Sequence, residues 1–139
     1  MPIYSTVILQ IIIYLIHKIM MNTKNTLAVI LNGSSPKGMH AVNQYIDSYT
    51  KLLLVGHDRH ELKDTISTIS DSLPVEKIDY VEVDLTRKFE LEKLIGLVKG
   101  RYCGADLIVD CMEISEDHKK IIFETSLTEF KNAALNPSV

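Results

Sequence analysis

Apolar and polar positions along this chain follow two rhythms that take turns. Leu27-Ala-Val-Ile-Leu31 is a short uninterrupted apolar run, the pattern of a parallel strand covered on both faces. From Met39 to Tyr49 the apolar positions fall at Val42, Tyr45, Ile46 and Tyr49, one face of a helix. Leu52-Leu-Leu-Val55, closed by Gly56, predicts a second buried strand. Leu62, Ile66, Ile69 and Leu73 then recur at helical spacing until Pro74 stops them. Ile78 to Leu85 alternates and predicts a third strand, ending as Val81-Glu-Val-Asp84-Leu. Leu91, Leu94, Ile95 and Val98 mark the next helix, with Gly100 as its expected close. Leu107-Ile-Val109 predicts a fourth strand, and Asp117 to Ala134 reads as a helix carrying Ile121, Ile122, Leu127 and Phe130.

Short apolar strands alternating with helices imply right-handed crossovers and a parallel sheet. The expected fold class is therefore α/β: a Rossmann-like half-domain of about four parallel strands in the order 3-2-1-4, flanked by helices. An N-terminal hydrophobic helix precedes it.

That leading segment, residues 1–21, differs in composition from everything after it. Ile3 to Ile16 carries no charge, and His17-Lys18 is followed by Ile19, Met20 and Met21. Its length is near the minimum for crossing a bilayer, with Lys18 able to snorkel at the boundary. Lys18 and Lys24 both lie on the C-terminal flank, which predicts an anchor through residues 3–21 with the rest of the chain facing the cytoplasm. No small-residue cleavage site follows, which disfavours a removed signal peptide. The competing readings are a buried element of a soluble domain, or translation starting at Met20 or Met21, which would leave a cytoplasmic protein.

Length and composition narrow the rest. A chain of 139 residues admits one domain, so the expected organisation is the 1–21 segment followed by a domain over 22–139. Apolar content of 46% with 24% charged residues marks a globular chain rather than a disordered one. A net charge of −3 lacks the electrostatic footprint of nucleic-acid binding, so no such partner is expected. Cys103 and Cys111 are too few and too unpatterned for a disulfide framework or a zinc site, and reduced thiols are the default.

The candidate chemistry sits where the first strand turns into the first helix of the repeat, at Asn32-Gly33-Ser-Ser-Pro-Lys37-Gly38-Met-His40. Glycines let main-chain amides approach a pyrophosphate, and the following helix N-terminus favours negative charge. The bland alternative is an ordinary strand-to-helix turn. The end of the second strand decides which dinucleotide fits, because a ribose hydroxyl wants an acid there and a 2′-phosphate wants a cation. Lys37 with Arg59 favours NADP over NAD, and Asp58 argues against; both cations also fit as solvated surface charges. His57 and His60 find no third ligand at a plausible spacing, so no metal is expected. Asp84, ending the third strand, reads either as an adenine contact or as a loop aspartate capping the turn at Thr86.

With these residues in place, the stretch from Thr26 to Pro137 resembles the N-terminal, cofactor-binding half of the short-chain dehydrogenases/reductases. The Asn32-to-His40 loop is similar to that family's TGxxxGxG loop, in a version one residue longer. Val55-Gly56-His57-Asp58 resembles the segment where NADP-dependent members carry a small residue followed by arginine. Val83-Asp84-Leu85-Thr86 is similar to the aspartate motif beside adenine, and the resemblance favours that role for Asp84. Gly104-Ala-Asp-Leu-Ile-Val-Asp110-Cys111-Met112-Glu113 follows the stretch that normally reads GxDxLVNNAG. Ser126-Leu-Thr-Glu-Phe-Lys-Asn132 resembles the NLTGxxN segment.

Three departures stand out. His40 replaces the third loop glycine, where its side chain is expected to intrude between helix and strand. Asp110-Cys-Met-Glu113 replaces Asn-Asn-Ala-Gly beside the cofactor. Ser126 stands at the catalytic asparagine. No catalytic residue is assigned, because the sequence ends before the strand that would bring the family's serine and tyrosine-xxx-lysine pair; Tyr14 and Lys18 share that spacing only by coincidence.

The resemblance implies an NADP(H)-binding protein of oxidoreductase ancestry, holding the cofactor through Gly33, Ser35, Lys37, Gly38, Arg59, Asp84 and Leu85. Carbonyl reduction by this chain alone is not expected. An anchor ahead of such a domain is similar in organisation to the membrane-anchored 3-ketodihydrosphingosine reductases, which would make the substrate lipid-like and the endoplasmic reticulum one location. The alternative is a non-catalytic binding or assembly module, whose open sheet edge would be covered in a homodimer or heteromer.

Overall fold

The computed structural model describes residues 2–22, 25–113 and 117–136. Helix α1 (Pro2–Asn22) leads into strand β1 (Leu27–Leu31), helix α2 (Pro36–Tyr45), strand β2 (Lys51–Gly56) and helix α3 (Arg59–Ile69). A single 3₁₀ turn over Val75–Lys77 precedes strand β3 (Ile78–Glu82), helix α4 (Lys88–Tyr102), strand β4 (Leu107–Asp110) and helix α5 (Asp117–Ala134). The four strands form one parallel sheet in the order β3-β2-β1-β4, as the apolar pattern predicts.

Because side chains alternate across a strand, each strand feeds two cores. Leu27, Val29 and Leu31 of β1 join Leu53 and Val55 against Leu91, Leu94 and Val98 of α4 and Phe130 and Ala134 of α5. Ala28 and Ile30 join Leu52 and Leu54 on the other face, against Ala41 and Val42 of α2 and Leu62 and Ile69 of α3. All five β1 residues are buried, which is why that strand shows no polar alternation. Each fully buried Leu, Ile or Val side chain contributes about 1.5–3 kcal/mol over exposure, so β1 is the spine of both layers.

Several boundaries differ from the sequence pattern. The third strand stops at Glu82, not at Leu85. The Val83 amide makes a last bond to the Gly56 carbonyl (2.8 Å), and the Asp84 carboxylate then draws the Thr86 amide into a turn (3.0 Å). The first repeat helix ends at Tyr45 rather than Tyr49. Gly100 does not close α4: the helix runs through it to Tyr102, and the stop is Cys103 in the left-handed region (φ 61°) followed by Gly104 (φ 100°). The Gly104 amide returns to the Val98 carbonyl at 3.0 Å, so the capping geometry sits later than the first available glycine.

Beyond α5 the chain turns back toward the sheet. Leu135 pairs in parallel with Ala105, with the Asn136 amide on the Ala105 carbonyl at 2.8 Å. The β4 edge beyond that bridge, Leu107 to Val109, is half-buried.

Helix α1 forms over the hydrophobic segment, but the expected membrane anchor is not supported. Among the described residues no helix is long and apolar enough to cross a membrane. Lys18, the expected snorkelling residue, lies outside the described side chains.

Candidate functional site

The order β3-β2-β1-β4 puts the reversal of crossover direction between β1 and β4, since α2 and α3 cover one face and α4 and α5 the other. In open α/β sheets a crevice forms outside the carboxyl ends of the strands at this point. The turn after β1 stands there. Asn32 adopts a left-handed conformation (φ 60°), which asparagine tolerates better than other side chains, and its Nδ2 donates to the Cys111 carbonyl at 3.2 Å. The β1 turn is thereby tied to the tip of β4.

Ser35 is the N-cap of α2: its hydroxyl donates to the Asn32 carbonyl (2.7 Å) and accepts from the Gly38 amide (3.0 Å). Pro36 follows at the first helical position, where its fixed φ suits the helix. Gly38 is required by close approach. A Cβ there would lie 2.5 Å from the Asn32 oxygen and 2.7 Å from the Gly33 Cα, both backbone atoms that cannot give way. Gly33 is pressed likewise against Leu54. These two glycines, and not the position of His40, carry the tight packing. The expectation that His40 intrudes is corrected: its side chain is exposed to solvent, because α2 turns that position away from the sheet.

Most amides of the turn are already committed. Gly33 donates to the Val55 carbonyl (3.1 Å), Ser35 to the Asn32 carbonyl (3.1 Å) and Met39 to the Ser35 carbonyl (2.9 Å). Gly38 is held by Ser35, and Pro36 has no donor. Among the described residues the Ser34 and Lys37 amides carry no hydrogen bond, so these two, with the Lys37 ammonium, are what the turn offers an anion. Lys37 itself reaches to the segment just past β4, its Nζ 3.0 Å from Glu113 Oε1, with both side chains largely exposed. The hydrogen bond and charge of Glu113 raise the Lys37 pKa above the ordinary lysine value. Behind them the Cys111 thiol is buried, and burial together with Asp110 pushes its pKa up.

At the β2 and β3 tips the expected residues take other partners. Asp58 caps α3, accepting the His60 (2.9 Å) and Glu61 (3.3 Å) amides, so its carboxylate is occupied locally. Arg59 is exposed, its guanidinium 5.9 Å from the Tyr80 ring centre and its amide on Glu82 Oε2 at 3.2 Å. Lys37 thus leans to β4 and Arg59 to β3; the contacts do not bring the pair together. Asp84 accepts both the amide (3.0 Å) and the hydroxyl (2.6 Å) of Thr86, with Arg87 at 3.5 Å. Burial raises its pKa, but the Thr86 bonds, Arg87 and His57 outweigh that and leave it lowered. Leu85 sends its side chain into the core against α4, which leaves its backbone alone to contact any ligand.

Sequence reading missed Glu113 as the partner of Lys37 and Glu82 as the clamp on α3. Both contacts join positions far apart in the chain, and only the strand order brings them together.

The sequence matches no family model and no curated protein. Solved structures do share its fold. A short-chain dehydrogenase/reductase from Brucella melitensis, titled a glucose/ribitol dehydrogenase, aligns with a TM-score of 0.66 at 20% identity, over 81% of this chain and 52% of that one. The L-sorbose reductase of Gluconobacter frateurii, solved with NADPH and L-sorbose, aligns with a TM-score of 0.64 at 17% identity, over 79% and 46%. A metagenomic short-chain oxidoreductase solved with NADP gives 0.66 at 11% identity, over 78% and 54%. The chain spans about half the length of these proteins. At such identities the likeness establishes the fold alone: most of this chain folds like about half of a short-chain dehydrogenase/reductase.

Proposed function

We propose that this chain binds NADP(H) at the carboxyl ends of β1, β2 and β3 and does not by itself reduce a carbonyl. The single observation that carries the reading is the β1 turn at the sheet's reversal point. There Gly38 lets the α2 N-terminus lie on the turn, and among the described residues the Ser34 and Lys37 amides carry no hydrogen bond, with the Lys37 ammonium exposed on the same helix turn. Gly33, Ser35 and Gly38 shape that turn, Lys37 and Arg59 supply positive charge, and Asp84 with the Leu85 backbone lies where the adenine would rest. The structural neighbours solved with NADP or NADPH support the same choice of ligand. Nothing among the described residues adds to membrane attachment or a lipid-like substrate, and neither enters the proposal.

The proton-transfer part of a carbonyl reduction needs an acid near the cofactor. Tyr102, whose pKa burial and the Asp79 hydrogen bond push up to about 12, sits at the opposite, amino ends of the strands and cannot serve it. Calorimetric titration of NADPH into the full chain tests the binding reading, with saturable heat expected and no heat contradicting it. NADPH oxidation with ketone substrates tests the second part: turnover above background would overturn it.

A second reading has its own observation. The β4 edge is half-buried and, among the described residues, is bridged beside it at Ala105 alone, and edges with unpaired backbone groups attract partner strands. In that reading the fold is an assembly module. Sedimentation of the chain as a concentration-independent monomer would count against it.

A further inference from the structure

The ion pair between Lys37 and Glu113 joins the α2 N-terminal turn to the segment just past β4, where the sheet's crossovers reverse. Lys37 belongs to the N-terminal turn of α2, beside the two uncommitted amides. Glu113 lies just past β4, whose Asp110 is in register with Leu31 of β1, and Asn32 fastens the two tips through the Cys111 carbonyl. The carboxylate is therefore held next to the one ammonium that the β1 turn presents, 3.0 Å from it. An exposed pair of this kind adds little to folding, since the side chains are 65% and 71% accessible and water screens them. A contact with so small a structural contribution is free to exchange partners when a stronger anion arrives.

We propose that Glu113 is a positioning residue that sets the affinity and phosphate preference of this site by competing with a cofactor phosphate for Lys37. The inference rests on the NADP(H) reading above. A phosphate that reaches the Ser34 and Lys37 amides must displace Glu113 from Lys37 or meet its negative charge. Either way part of the binding free energy is spent on that exchange. The phosphate has two possible sources on one ligand: the diphosphate, common to NADH and NADPH, and the 2′-phosphate, found on NADPH alone. Both present the same chemistry to the ammonium.

The test is calorimetric titration of NADPH and of NADH into the full-length wild type, Glu113→Gln, Lys37→Ala and the double variant, with a urea midpoint for each to confirm the fold. Glu113→Gln is expected to tighten NADPH roughly three- to fivefold, the range an exposed charge pair supports. An equal gain for NADH assigns Lys37 to the diphosphate; a gain confined to NADPH assigns it to the 2′-phosphate. In the Lys37→Ala background the Glu113→Gln effect should vanish, because the coupling runs through that ammonium. If wild type binds NADPH and Glu113→Gln leaves the affinity unchanged, the competition is overturned while the NADP(H) reading stands. A gain that persists without Lys37 also overturns it, by reducing Glu113 to a general repulsive charge. Absence of binding in all four proteins sinks the NADP(H) reading itself, and the competition with it.

Discussion

The two ends of the sheet solve opposite problems. At the amino ends Asp79 accepts from the Tyr102 hydroxyl and pairs with Lys51 at 3.4 Å, while Asp106 holds the Leu27 amide (2.9 Å) and the Asn136 side chain (3.2 Å). Lys51, Asp79, Tyr102 and Asn136 line a cavity of about 450 Å³, yet the Asp79 and Asp106 carboxylates are already matched to donors of the fold. At the carboxyl ends the β1 turn keeps two amides uncommitted and holds its ammonium in an exposed pair. Polar groups satisfied by their own fold stabilise it. Groups left half-satisfied at a crevice are available to a ligand. The contrast teaches that a cavity lined by polar groups is not by itself a binding site when the fold already pairs those groups. It is why the proposed NADP(H) site lies at the other end of the sheet.

The sharpest way to break the contrast is Gly38→Val. The added side chain would meet backbone 2.5 Å away. We expect a stability loss of about 3 kcal/mol in urea unfolding and loss of NADPH binding. Lys37→Ala should weaken NADPH about tenfold, as loss of a charge-assisted phosphate contact does, with the urea midpoint unchanged. Asp79→Ala is the mirror experiment. It should lower stability by about 1.5 kcal/mol by removing the acceptor of Tyr102 and Lys51, and leave NADPH affinity as it was.

The smallest effect is a pH dependence. The raised Tyr102 pKa means that the fold favours the neutral phenol. That contribution is whole below the unfolded-chain pKa of about 10 and is lost as pH rises through about 12. Unfolding measured from pH 9 upward should show this fall, and Tyr102→Phe should flatten it. Asp84 runs the other way: its lowered pKa gives a contribution present above the usual aspartate value and lost in acid.

How much of this was legible in the residues divides along the same line. The parallel sheet was legible in uninterrupted apolar runs such as Leu27–Leu31 and residues 52–55, because strands buried on both faces leave that signature. Its order followed from reading their alternation with helices as a Rossmann-like half-domain. The Asn32-to-Gly38 turn was legible for a local reason: its N-cap serine, first-position proline and close-packed glycine all act within a few residues. Gly100 misled as a helix stop because a glycine inside a helix is tolerated, while Cys103 took the left-handed position. The fate of His40 depended on the phase of α2, two residues from a glycine that does pack. Lys37 with Glu113, and Arg59 with Tyr80 and Glu82, were invisible because no local pattern encodes which strand tip a long charged side chain will lean toward. Helix α1 formed over its hydrophobic segment, but among the described residues no helix is long and apolar enough to cross a membrane.

Amide chemical-shift mapping during NADPH titration of the full chain tests the central claim most directly. Shifts should concentrate at Ser34, Lys37 and the residues flanking the β1 and β4 tips, with Thr26, Lys51 and Tyr102 at the far end unmoved. Perturbation centred on that far end, or saturating NADPH that moves no amide of the β1 turn, would contradict it.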